Sequence, residues 1–151
     1  MCTFVGALPG AAPPLIGWAA ASGNLSVEAW LLYSMVFLWQ FPHFMAIAWI
    51  YREACDRAGY QVLPRCEKRH RFVAFQSVIP ALLLVPISLI PVLVGDERRI
   101  YFVGAILLGV AFLYRAVRLT FERSNTTARR LLLASIVYLP SVFCFLLLDR
   151  R

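Results

Sequence analysis

The feature that most limits what this chain can fold into is a set of long stretches without charge. Residues 29–51, 72–95 and 100–114 contain no Asp, Glu, Lys or Arg. A helix in water needs a polar face, and these segments have none. Uncharged apolar runs of about 18 residues or more are read as bilayer spans, because roughly 20 residues at ~1.5 Å rise cross a ~30 Å hydrocarbon core. Composition agrees: 15% of the residues are charged, against about 25% in an ordinary soluble domain.

Five apolar segments follow, at 2–21, 28–50, 72–94, 100–121 and 128–148. They predict an all-α, polytopic membrane helical bundle of about five transmembrane helices, forming a single membrane domain over residues 1–151. The basic residues give the orientation. Arg52, Arg57, Arg65, Lys68, Arg69 and Arg71 fall in the 51–71 loop, and Arg115, Arg118, Arg123, Arg129 and Arg130 surround the 122–127 connector. Only Arg98, Arg99, Arg150 and Arg151 fall on the alternate side. The positive-inside rule then makes loops 51–71 and 115–130 cytoplasmic and leaves the C-terminus outside. A net charge of +7 could suggest nucleic acid. These charges instead sit in short loops between spans, where anionic lipid headgroups are the partner, so no nucleic acid is expected.

The four cysteines, Cys2, Cys55, Cys66 and Cys144, show no CxxC spacing, and neither disulfides nor zinc are expected. The start has no positively charged region of the kind that opens a cleavable signal. The sequons at Asn24 and Asn125 are read as chance matches.

The spans are not plain anchors. Pro9, Pro13 and Pro14 interrupt the first, Pro42 the second, Pro80, Pro86 and Pro91 the third, and Pro140 the fifth. Each removes a backbone donor and frees a carbonyl, which is tolerated at membrane depth where a neighbouring helix or an internal cavity satisfies it. Gly104, Ala105 and Gly109 allow close helix contact.

Two places could carry chemistry. In the second span Gln40 and His43 are three residues apart and are expected to share a helix face. Polar groups inside a membrane helix tend to face the bundle interior, and His43 could serve as acid, base or iron ligand. A histidine satisfied by a neighbouring carbonyl explains the residue equally well. Trp39 and Trp49 read first as packing or interfacial residues. The loop from Tyr51 to Tyr60 then places Arg52, Glu53, Asp56 and Arg57 at the cytoplasmic mouth. Carboxylates can hold Mg²⁺, and Mg²⁺ with arginines can neutralise a departing diphosphate. A solvated, self-paired loop is the plainer reading of the same spacing. His70 belongs to the headgroup-facing edge.

At these residues the chain resembles a known family. Gly6-Ala-Leu-Pro-Gly-Ala-Ala-Pro-Pro-Leu-Ile-Gly-Trp18, Ala29-Trp30, Phe37-Leu-Trp-Gln-Phe-Pro-His-Phe44, Tyr51-Arg-Glu, Arg57-Ala-Gly59, Leu63-Pro64 and Arg129-Arg-Leu-Leu-Leu-Ala-Ser-Ile-Val-Tyr-Leu-Pro140 are similar to the protoheme IX farnesyltransferase (haem O synthase) branch of the UbiA-type intramembrane prenyltransferases. The resemblance covers the C-terminal part of that family's nine-helix fold. It implies transfer of farnesyl from farnesyl diphosphate to a vinyl of haem B with Mg²⁺ help, and then water addition, in the biogenesis of haem A for terminal oxidases. It implies an inner (plasma) membrane location. It also implies that Gln40, His43 and Arg52 act in catalysis, that Trp39, Pro42, Tyr51 and Arg57 line the substrates, and that Glu53 and Asp56 meet the metal. Where the family carries an aspartate this chain has Ala54, and Asp56 stands two residues on, about 200° round a helix.

The family's other aspartate-rich loop, of Asn-Asp-x-x-Asp type, has no counterpart among these residues. The expectation is therefore that this chain does not turn over alone, and that a separate N-terminal half or a second copy completes the site. The competing reading is a non-catalytic membrane paralogue that binds haem or isoprenoid.

Overall fold

The computed structural model describes residues 2–59, 68–94 and 99–148. Among them the chain is helical: α1 (Cys2–Gly10), α2 (Ala12–Ser22), α3 (Val27–Ile50), α4 (Arg52–Arg57), α5 (Lys68–Val94), α6 (Arg99–Glu122) and α7 (Asn125–Leu148). With ~1.5 Å rise per residue, α3, α6 and α7 at 24 residues each reach about 36 Å, enough to cross a bilayer. The described residues contain four helices long and apolar enough to span, the fourth lying within α5 at Arg71–Val92. The chain is a multi-pass membrane protein.

The first expected span takes a different form. It is two short helices of 9 and 11 residues that break at Ala11, and neither crosses a membrane alone. Pro13 and Pro14 do not interrupt a helix here. They open α2, in the first turn, where a missing N–H costs nothing. Gly23, with φ 71°, ends α2 in the left-handed conformation that glycine adopts freely.

The four long helices form a closed ring in which α3 packs on α5, α5 on α6, α6 on α7 and α7 back on α3. Helices α1 and α2 lie against the outside of α3. Thus α3 meets neighbours on several sides and is the most buried of the four spans. A span wrapped by protein can keep polar side chains that lipid would not tolerate, and α3 carries Gln40 and His43. The core between the helices holds Met35, Met45, Leu84, Phe112, Leu119, Leu131 and Tyr138. Phe112 and Tyr138 stack with centroids 5.1 Å apart, and the Tyr101 hydroxyl donates to the Ser88 carbonyl at 2.6 Å. The expected small-residue contacts are present. A Cβ on Gly104 would lie 2.9 Å from the Phe145 ring, and one on Gly109 would lie 3.2 Å from Val85. Outward faces of α6 and α7 expose Phe102, Leu107, Val110, Leu133, Ile136 and Val137, as lipid-facing surfaces do.

The two basic connectors meet at one end of the bundle, as the charge count requires. Arg52 of α4 donates to the Asn125 side chain at the start of α7. Ser124 caps α7 by accepting the backbone N–H of Thr127 at 3.2 Å. Glu122 closes α6 onto the same turn, pairing with Arg118 and accepting from the Thr127 hydroxyl at 2.7 Å. Tyr60, Leu63, Pro64, Arg65 and Cys66 of the basic loop, the side chains of Lys68, Arg69 and His70, and Arg98, Arg150 and Arg151 lie outside the described residues.

Candidate functional site

The polar residues of α3 sort into two groups that look in different directions. Gln40 is 4% exposed and turns toward α1, where its amide Nε2 donates to the Ala7 carbonyl at 3.5 Å. Gly10 makes that approach possible, since a Cβ there would sit 2.6 Å from Gln40 Oε1. His43 turns toward α7, and its Nδ1 lies 2.7 Å from the Ser135 hydroxyl oxygen. The expected shared face of Gln40 and His43 is therefore not what the fold uses. Three residues leave a ~60° offset around a helix, and α3 has protein on both flanks.

The residue that does share the His43 face is Trp39, one turn earlier. The two rings stack with centroids 4.6 Å apart and planes 21° from parallel. Phe44 adds an edge-on contact at 5.7 Å. The Trp39 indole donates to the Ser135 carbonyl at 2.8 Å, so Trp39 is hydrogen-bonded to α7 as well as packed. Ser135 was not legible as a site residue. Its signal was a lone buried hydroxyl in an apolar span.

Prolines shape the opposite flank of α3. Pro42 removes the partner of the Leu38 carbonyl and Pro80 that of the Gln76 carbonyl. Leu38 and Gln76 line the same groove between α3 and α5, about 190 Å³, together with Phe37, Phe41, Phe75, Ile79 and Pro80. The Gln76 amide oxygen is buried there without a hydrogen-bond partner among the described residues.

At the end of α3 the chain turns at Tyr51, φ −96° and ψ 10°, and enters α4. Tyr51 is exposed. Arg52 is clasped from several directions: Nη1 donates to the Trp49 carbonyl at 2.8 Å and to Asn125, Nη2 pairs with Glu53 at 3.3 Å, and the guanidinium sits 5.1 Å over the Trp49 ring. Asn125, set aside in the sequence as a chance sequon, is thus the α7 contact of this cluster. Arg57 donates through Nε to the Glu53 carbonyl at 3.2 Å and is exposed. Glu53 and Asp56 are both exposed on α4, three residues apart and so one turn from each other. The described residues contain no group of three or more His, Cys, Asp or Glu side chains able to hold a metal. Eight residues separate His43 from Tyr51, about 12 Å along the helix axis.

Comparison with known proteins bears on this geometry. The chain matches the UbiA prenyltransferase family over residues 1–143. It is 51% identical over 148 residues to a protoheme IX farnesyltransferase of Solibacter usitatus, covering 98% of this chain and 51% of that protein. It is 43% identical to a protein of the same name from Koribacter versatilis, over 99% of this chain and 51% of the relative. The Salinibacter ruber protein of that name is 40% identical over 97% of this chain and 52% of its own length. The chain thus spans about half the length of these curated relatives. No solved structure matches it. A helical membrane ring with a polar cluster at depth and a charged mouth at the end of the same helix, matched across nearly its whole length, makes this chain a member of the UbiA prenyltransferase family.

Proposed function

We propose that the chain provides the C-terminal part of a protoheme IX farnesyltransferase, which moves a farnesyl group from farnesyl diphosphate to a vinyl of haem B. The observation that carries this reading is the placement of two chemistries along α3 and the short α4 that follows it. An aromatic and imidazole cluster lies within the bundle, and a cationic mouth lies about 12 Å further along. In the reaction the allylic C–O bond breaks and diphosphate leaves with the electron pair. The vinyl π pair bonds to farnesyl C1, and water captures the resulting cation and loses a proton.

Each residue has a part in that scheme. Arg57, exposed at the end of α4, meets the diphosphate, and Arg52, held by Trp49 and Asn125, supplies a second guanidinium for charge-assisted hydrogen bonds. Tyr51 flanks the entrance. Glu53 and Asp56 suit Mg²⁺, a hard cation usually bound by one or two carboxylates plus water and phosphate oxygens. Mg²⁺ held there would offset the charge of the departing diphosphate. Further carboxylates from a separate N-terminal half complete the metal shell. The Phe37–Pro80 groove is apolar enough for the isoprenoid, Pro42 and Trp39 shape the haem slot, Gln40 fixes α1 against α3, and His43 faces the porphyrin. The bundle sits in the plasma membrane with the Arg52–Asn125 end in the cytoplasm.

Binding of farnesyl diphosphate to membranes carrying this chain with the N-terminal half of a full-length relative tests the reading. Binding is expected to need Mg²⁺ and to weaken about tenfold in Arg57→Ala, the effect of losing one charged hydrogen bond. Binding that ignores both Mg²⁺ and Arg57 contradicts it.

A further inference from the structure

Two short contacts at the Ser135 hydroxyl bear on which nitrogen of His43 carries the proton. The hydroxyl oxygen lies 2.6 Å from the Leu132 carbonyl. The same oxygen lies 2.7 Å from His43 Nδ1. Both contacts are short enough to need a hydrogen between the atoms, and the hydroxyl has only one. Both are satisfied together when the hydroxyl donates to Leu132 and Nδ1–H donates to Ser135. A neutral imidazole has a single N–H, which leaves a lone pair on Nε2. No hydrogen bond reaches Nε2 among the described residues.

The ring plane is fixed along with the tautomer. Trp39 stacks on it at 4.6 Å and is itself anchored by its indole N–H to the Ser135 carbonyl. One residue of α7 therefore holds Trp39 through its backbone and His43 through its side chain. An imidazole that donates its Nδ1–H to an outer partner and leaves Nε2 open is the arrangement in which proteins orient a histidine toward a metal.

We infer that Ser135 is a positioning residue that holds His43 as the Nδ1–H tautomer and presents Nε2 as an axial ligand to the iron of a bound porphyrin. The inference rests on the reading of haem as a substrate, and it assigns the face of α3 that the haem approaches. In Ser135→Ala the Nδ1–H loses its acceptor inside the bundle, the two tautomers compete, and the ring is free to turn. Ser135→Thr keeps the hydroxyl.

Two measurements separate the inference from the reading beneath it. The chain has two histidines, so ¹⁵N-histidine labelling of a His70→Gln variant leaves the His43 ring alone in the spectrum, without any porphyrin present. It is expected to show the Nδ1–H tautomer, mixed in Ser135→Ala and restored in Ser135→Thr. An Nε2–H tautomer in the His70→Gln parent overturns the inference. The second measurement titrates ferric protoporphyrin IX and metal-free protoporphyrin IX into the same protein in nanodiscs. The iron porphyrin is expected to show an imidazole-ligated absorption and EPR spectrum that is lost in His43→Ala. Ser135→Ala should weaken its binding about tenfold, the lower end for losing an outer partner of a metal ligand, while metal-free porphyrin binds all variants alike. Iron porphyrin that binds His43→Ala with an unchanged spectrum overturns the ligation while haem stays a substrate. If neither porphyrin binds the parent, both claims fail.

Discussion

Replacing Gly10 by alanine tests whether α1 is docked on α3 through Gln40. Within a helix, alanine is ordinarily the better residue by about 0.5–1 kcal/mol. Here the added Cβ would lie 2.6 Å from Gln40 Oε1 and 3.3 Å from Cδ and Nε2. The end of a glutamine can often swing aside at little cost. Gln40, however, is 4% exposed, and moving it gives up the bond to the Ala7 carbonyl. Overpacking costs roughly 1–3 kcal/mol and the lost hydrogen bond about 1 kcal/mol. Against the helix gain, Gly10→Ala should destabilise by about 1–3 kcal/mol. Thermal unfolding in detergent would measure it, through a cycle of Gly10→Ala, Gln40→Ala and the double variant. In the Gln40→Ala background the new methyl has room, so Gly10→Ala should become neutral or slightly stabilising. If Gly10→Ala is harmless beside Gln40, or equally harmful without it, the docking argument is wrong.

Further predictions rest on other contacts. Trp39→Phe keeps a ring against His43 but removes the donor to Ser135, and should cost about 1 kcal/mol in the same unfolding assay. Tyr101→Phe removes a fully buried hydroxyl bonded to Ser88 and should cost about 1–2 kcal/mol. Asn125→Ala should lower stability by no more than about 1 kcal/mol, because the Arg52 clasp is partly exposed, whereas Asn125→Asp should hold or raise it by converting the bond into an ion pair. In a variant with Cys2, Cys55, Cys66 and Cys144 replaced by serine, cysteines placed singly at Asp56 and Ser124 should react with an impermeant thiol reagent from the same face of sealed vesicles, and opposite labelling would break the two-loop arrangement.

The membrane bundle was legible because its cause is local: a stretch of charge-free residues leaves no soluble alternative. The break in the first segment was legible in kind, through Pro9, Pro13 and Pro14, but not in place. The turn falls at Ala11, and two of those prolines serve as a helix start. The shared face assigned to Gln40 and His43 failed because a 3.6-residue period does not say how many neighbours flank a helix. With α1 on one side and α7 on the other, 60° was enough to part them. Ser135 and Asn125 stayed hidden for a different reason. Each acts on a residue far away in the chain, 92 positions from His43 and 73 from Arg52, and only the closure of α7 onto α3 brings those pairs together.

The most direct measurement of the account is haem O formation in cells that lack their own protoheme IX farnesyltransferase, scored by extraction and chromatography. One arm expresses this chain alone, and the other adds the N-terminal half of a full-length relative, with insertion of both confirmed. Haem O is expected in the second arm only, and in smaller amount when Arg57 is replaced by alanine. Haem O from the chain alone would contradict the need for outside carboxylates. Its absence from both arms would contradict the enzyme itself and leave a membrane protein that binds haem or isoprenoid without joining them.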